Sequence, residues 1–274
     1  MKITDVKLKF SIAADSKELA QETVELFIRR AQKAIDVRGR FCVAISRQTP
    51  NIFFELLGSD SRSKSLPWNQ IHLFCVDECC GTYDMVDNYN LLPRTIAGII
   101  DIPSENVHRI CSKCRLCELN ASIYEQTLQK VLRHDKNGVP GFDLILLNME
   151  SDGHIASLFP DTYAFFESEK LVSTIYFMDD RHTRITMTHP VLYAASHIAV
   201  LVSGGEKAKI LSEIFAREPN ISQYPVHALW SVLDKVTWLV DRNAARLLML
   251  PYRIEMRRRN SDCIHQYKER RPIR

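Results

Sequence analysis

No segment of this 274-residue chain reaches the roughly eighteen consecutive apolar residues of a membrane helix, and Met1–Val6 carries no extended apolar stretch. Neither membrane insertion nor an export signal is expected, and the expected location is cytoplasmic. A net charge of +3 is too small to point to nucleic acid as a partner. Internal repeats, low-complexity linkers and abrupt composition shifts are also missing. Residues 1–250 are therefore read as one domain and 251–274 as a basic C-terminal tail. From Tyr252 onward eight Lys and Arg stand against three acids, the composition of a solvated or frayed end. Oligomeric state leaves no readable trace.

Eight cysteines in a chain without an export signal suggest reduced thiols rather than a disulfide framework. Cys111, Cys114 and Cys117 are spaced by two-residue gaps, which suits zinc or part of an iron-sulfur cluster. A closed site needs a fourth ligand, for which Cys79, Cys80 and His108 are candidates. No second Cys-x-x-Cys pair completes the pattern, and free cysteines at a helix start are the competing reading.

What is present is an alternation of strand and helix patterns. Lys7–Ala13 alternates like a half-exposed strand, and Asp15 or Ser16 caps a helical pattern reaching Ile35. Phe41–Ser46 is a short buried strand. Thr49-Pro50 then opens a helix from Asn51 that Gly58 ends, with a loop from Ser59 to Lys64. Ile71–Val76 is the next buried strand. Helical patterns at Leu91–Ile100, Ile123–Leu132 and Glu206–Phe215 interleave with extended segments at Phe142–Met149, Leu171–Met178, Arg184–Thr188, Ile198–Ser203 and Val236–Val240. The pattern predicts an α/β fold: a doubly wound, mostly parallel sheet with helices on both faces.

Three strand ends deliver polar groups, and parallel topology places them along one edge, where ligands of such sheets collect. Ser46-Arg47-Gln48-Thr49 precedes a helix N-terminus and suits an anion; the alternative is an ordinary strand-to-helix turn. Asp77-Glu78 offers carboxylates for acid/base work or for orienting an imidazole, or else a helix cap or salt bridge. Asp152-Gly153-His154 ends a continuous apolar run and supplies a group that titrates near neutral pH. Arg184, which opens a strand, and Lys207, near a helix start, offer further cations.

The motifs Val76-Asp-Glu78, Asn88-Tyr-Asn90, Glu105–Ile110, Phe142–Leu147, Asp152–Pro160, Arg184–Thr188 and Gly205-Glu-Lys207-Ala resemble the 6-phosphogluconolactonase family in order and spacing, from about residue 10 to residue 248. Its superfamily also holds glucosamine-6-phosphate isomerase/deaminases, which usually follow the histidine with Phe-Asn-Glu-Pro where this chain has Ala156-Ser-Leu-Phe-Pro160. The resemblance implies a Rossmann-like fold of the sugar-phosphate isomerase type and hydrolysis of 6-phospho-D-glucono-1,5-lactone in the pentose phosphate pathway. It implies no metal or organic cofactor, and a small sugar phosphate as the partner. His154 matches the acid/base residue. Asp152, Asp77 and Glu78 would orient the imidazole and substrate hydroxyls, and Arg184 and Lys207 match phosphate-binding positions.

The chain departs from the family pattern on the loops. The usual Ser-Gly-Gly-Ser-Thr-Pro keeps Thr49-Pro50 but has Ser46 and Arg47 in place of the glycines. Arginine after Asp-Glu is replaced by Cys79, and Gly-Met-Gly by Asn148-Met149-Glu150. Two alternatives follow: an aldose-ketose isomerase/deaminase using Asp77 for proton transfer, and a sugar-phosphate-binding or metal-stabilised protein without turnover.

Overall fold

The computed structural model describes residues 8–80, 100–111, 116–134, 137–160, 162, 167–177, 183–249 and 254–256. The predicted helix over Leu91–Ile100 falls almost wholly outside the described residues, as do Asn88-Tyr-Asn90 and Cys114.

Thirteen strands are described. In chain order they are β1 (Leu8–Ala13), β2 (Phe41–Ile45), β3 (Ile71–Cys75), β4 (Asp77–Cys79), β5 (Val107–His108), β6 (Arg133–His134), β7 (Pro140–Gly141), β8 (Leu144–Asn148), β9 (Val172–Ile175), β10 (Arg184–Met187), β11 (Ile198–Val202), β12 (Val236–Asp241) and β13 (Ile254–Met256). Eight build one sheet in the order β13-β1-β12-β11-β8-β2-β3-β5. Every pairing in it is parallel, as the alternation predicts. β2, β8 and β11 are buried at every residue, because helices flank the sheet and leave both faces of the central strands dry.

Helix α1 (Ser16–Arg38) starts at Asp15, whose carboxylate accepts from the Glu18 N–H. It lays Leu19, Val24, Phe27, Ala31 and Ala34 onto the sheet and packs against α2 (Asn51–Ser59). Phe27 meets Phe41, Phe53 and Trp68, joining helix, strand and loop in one aromatic cluster. A second cluster of Phe10, Phe215, Trp230 and Trp238 fills the opposite end of the strand order. Burying such rings stabilises the fold by about 1.5–3 kcal/mol each before entropy is counted.

The connectivity fixes where a ligand can sit. From β2 the chain moves outward through β3 and β5, then returns to the other side of β2 at β8 and continues outward through β11 and β12, and past β1 to β13 at the edge. The direction of winding reverses between β2 and β8. In sheets wound this way, ligands collect beyond the carboxyl ends of the strands at such a reversal.

Several local expectations need correction. The extended segments at 172–175 and 184–187 do not join the main sheet. β9, β10 and β4 form a separate antiparallel sheet, in which Arg184 faces Cys79, Ile185 faces Glu78 and Thr186 faces Asp77. β4, separated from β3 by Val76 alone, turns away where Val76 hydrogen-bonds to both sheets, donating to Ile45 and accepting from Met187. Pro50, not Thr49, occupies the N-cap of α2, and no side chain caps it. Gly58 is a buried helical residue, and Ser61–Lys64 forms the short helix α3 around the Asp60 cap instead of a loop. Helix α4 (Cys117–Val131) begins six residues before the predicted start. Beyond residue 250, Ile254–Met256 pairs with β1 as the edge strand, so this part of the basic tail is in the sheet; the rest lies outside the described residues.

The expectation of reduced thiols throughout fails at one pair: Cys80 and Cys117 form a disulfide. Cys117 is therefore not available as a metal ligand alongside Cys111. No cluster of metal-ligating side chains occurs among the described residues. Sequence spacing could not show this, since Cys80 and Cys117 are brought together only by the packing of α4 beside the end of β4. Also among the described residues, no helix is long and apolar enough to cross a membrane.

Candidate functional site

His154 sits where β8 leaves the sheet. The apolar run ends at Asn148, and the chain doubles back through a tight turn: the Gly153 N–H donates to the Glu150 carbonyl, and the Glu150 N–H to the His154 carbonyl. Gly153 takes φ +82°, which a side chain would strain. Ala156 has φ +55° as well, a left-handed conformation costing an alanine about 1 kcal/mol. Gly153 lets the Glu150–His154 turn close, and Ala156 redirects the chain just after the histidine.

His154 is 8% exposed. Its Nδ1 lies 2.6 Å from Asp152 Oδ1, the same oxygen that accepts from the His154 backbone N–H at 3.1 Å. Phe159 covers the ring, with centroids 4.2 Å apart. Nε2 has no hydrogen-bond partner among the described residues. Burial pushes the Asp152 carboxyl upward, but the hydrogen bond and charge of His154 outweigh it, holding the group below the usual carboxylate range. Ionised Asp152 thus fixes one tautomer, with the proton on Nδ1 and the lone pair on Nε2.

Asp77 and Glu78 do not reach this imidazole, contrary to the expectation that they help orient it. Both lie in β4 and are buried. Asp77 Oδ2 accepts from the Ser157 hydroxyl at 2.7 Å, and Oδ1 faces the Arg47 N–H at 3.4 Å, so the carboxylate ties the histidine loop to the loop after β2. Glu78 Oε1 accepts from the Cys79 N–H at 2.9 Å.

The loop after β2 is held from outside. Ser46 donates its N–H to the Leu146 carbonyl, and Thr49 its N–H to the Ser46 carbonyl. The Asn148 side chain donates to the Gln48 carbonyl at 2.8 Å, and its oxygen faces the Thr49 hydroxyl at 3.5 Å. Ser46 and Thr49 are buried, Arg47 half-buried and Gln48 exposed. Neither Ser46 nor Arg47 adopts positive φ. The chain therefore follows a path that side-chain-bearing residues tolerate, and the N–H groups of Ser46, Arg47 and Thr49 already point at protein acceptors.

The cations fall into two groups. Arg184 donates to Cys79 Sγ at 2.5 Å across the β4-β10 ladder. Burial raises the Cys79 thiol, and the charges of Arg184 and then Arg47 pull it back. Lys207 stands on the other side, its Nζ 3.8 Å from Glu150 Oε1. It follows Gly204, whose φ of +103° and N–H bond to Asp241 turn the chain sharply after β11.

Sequence reasoning missed Ser157, Asn148 as a brace, Phe159 as the cover of His154, and Cys79 as the partner of Arg184. Ser157 and Asn148 carried a signal: each is a polar residue beside buried apolar neighbours, where an unpaired side chain would be costly.

Residues 14–238 match the family described as glucosamine-6-phosphate isomerases/6-phosphogluconolactonase. A 6-phosphogluconolactonase of Nostoc sp. is 31% identical over 241 residues, covering 87% of this chain and 98% of the relative. One from Synechocystis sp. is 34% identical over 222 residues, covering 80% and 89%. The crystal structure of 6-phosphogluconolactonase from Leishmania guyanensis superposes with a TM-score of 0.76 at 24% identity, covering 87% of this chain and 98% of that one; it is similar in fold.

Proposed function

Since this chain belongs to the glucosamine-6-phosphate isomerase/6-phosphogluconolactonase family, we propose that it hydrolyses 6-phospho-D-glucono-1,5-lactone to 6-phosphogluconate, with His154 as the acid/base group. The observation that carries this reading is the Asp152–His154 pair: the carboxylate holds Nδ1 at 2.6 Å, and Nε2 has no hydrogen-bond partner among the described residues. In the reaction, Nε2 takes a proton from water as its oxygen bonds to the lactone carbonyl carbon. The tetrahedral adduct then collapses, the bond from that carbon to the ring oxygen breaks, and the imidazolium returns the proton to the departing oxygen. Atoms and charge balance without a cofactor.

Arg47, Arg184 and Lys207 hold the phosphate in this reading. The loop backbone contributes less, because its N–H groups are engaged with Leu146, Asp77 and Ser46. Side-chain guanidinium forks replace a glycine-lined backbone cradle, a substitution that preserves charge-assisted contacts. On binding, the dianion draws Lys207 from Glu150 and Arg184 from Cys79. Ser46, Gln48 and Thr49 shape the wall around it. Asp77 and Glu78 act by positioning: Asp77 braces Ser157, three residues past the histidine.

An isomerase/deaminase would need Asp77 free to move a proton between carbons, yet both of its oxygens face protein donors. The test is a pair of assays on purified protein. Release of acid from freshly made 6-phosphogluconolactone above its spontaneous hydrolysis, without ammonia release from glucosamine 6-phosphate, is expected. Ammonia release without lactone hydrolysis would overturn the proposal.

A further inference from the structure

At the opposite edge of the sheet, where β2 and β8 begin, a solvent-open cavity of about 190 Å³ is lined by Arg38, Arg40, Arg133 and His134 together with Cys42 and Asp143. From Cys42 in its lining, β2 runs to Ile45 at the other end of the sheet, roughly 13 Å for four residues at 3.3 Å each. It is thus distinct from the His154 site.

The charge in this cavity is uneven. Asp143 is its sole carboxylate among the lining residues, and both of its oxygens are committed: Oδ1 accepts from Arg38, and Oδ2 from the Cys42 N–H at 2.9 Å. Burial and then the Asp143 charge push the Cys42 thiol up to about 12, so it contributes no anion at neutral pH. Arg40 and Arg133 remain. Among the described residues neither has a carboxylate within ion-pair distance. Both residues line this one opening. Arg40 follows the Gly39 cap of α1, and Arg133 is fixed across the β6-β7 hairpin opposite Gly141. Gly141 itself lies so close to Ala194 that an added Cβ would meet the Ala194 carbonyl oxygen at 2.7 Å, which locks the hairpin to the cavity wall.

Like charges gathered at one concavity repel each other, and their approach is favoured when an anion joins them. The carbonyl end of α1 also points toward this edge and offsets one positive charge; Arg38, in its last turn, serves that role and the Asp143 pair. We infer that the opening between Arg40 and Arg133 is a second anion site, which takes the phosphate group of a small phosphorylated molecule or free phosphate through the two guanidinium forks, with His134 at its rim.

The experiment compares phosphate stoichiometry by equilibrium dialysis for the wild-type chain and the Arg40→Ser/Arg133→Ser variant, with inorganic phosphate and glycerol 3-phosphate as separate probes. The variant is expected to bind one equivalent fewer than wild type of at least one probe while its lactone hydrolysis is unchanged. Loss for both probes assigns the phosphate group alone; loss for glycerol 3-phosphate only assigns the ester. Equal stoichiometry in the two proteins for both probes overturns the inference. Should the variant not fold, wild-type crystals soaked in tungstate decide: density between the Arg40 and Arg133 guanidiniums supports the site, and density confined to the His154 crevice or absent overturns it.

Discussion

Two loops face each other across the crevice between β2 and β8, and they are built in opposite ways. Glu150–Ala156 makes its shape largely from its own residues: Gly153 and Ala156 take left-handed conformations, and Asp152 grips both the N–H and the ring of His154. Ser46–Pro50 takes no such conformation and is shaped by neighbours, through Leu146, Asp77 and the Asn148 side chain. A loop that carries its own geometry can place a reacting atom. A loop held from outside does not depend on special backbone conformations of its own, which is how Ser46 and Arg47 sit in it without positive φ.

This contrast predicts that changes in the histidine loop act on turnover and changes in the other loop on binding or stability. Asp152→Asn, isosteric but uncharged, should lower kcat by about 10²-fold with KM little altered, because the tautomer and the imidazolium lose their support. Steady-state kinetics on the lactone check this; an equal fall in kcat/KM carried entirely by KM would place Asp152 among the binding groups. Arg47→Ala should raise KM about tenfold with kcat retained, the loss of one charge-assisted contact. A kcat effect there would erase the distinction between the loops. The smallest effect is expected from Asn148→Ala, which removes the donor to the Gln48 carbonyl and should cost about 1–2 kcal/mol in urea unfolding while leaving kcat near wild type.

The main sheet was legible because its strands are continuous apolar runs between turn residues, as in Phe41–Ile45, Leu144–Asn148 and Ile198–Val202. The separate β4-β10-β9 sheet was not, since Arg184–Met187 has the same local pattern whether its neighbour runs parallel or antiparallel. At the site, Asp152 and His154 were readable from their two-residue spacing at a strand end. The Asp77–Ser157 and Thr49–Asn148 contacts span 80 and 99 residues and are consequences of topology that no local window contains. The Cys80–Cys117 bond has the same origin: a Cys-x-x-Cys spacing suggested a metal, while the partner of Cys117 lay 37 residues back.

The central claim is that the Nε2 of His154, held by Asp152, moves the proton in lactone hydrolysis. Replacing His154 with Ala and measuring initial rates on 6-phosphogluconolactone beside equilibrium binding of 6-phosphogluconate puts it at risk. The expected result is a fall in kcat of about 10²–10⁴-fold with product binding retained. Hydrolysis at the wild-type rate in the His154→Ala protein would contradict it.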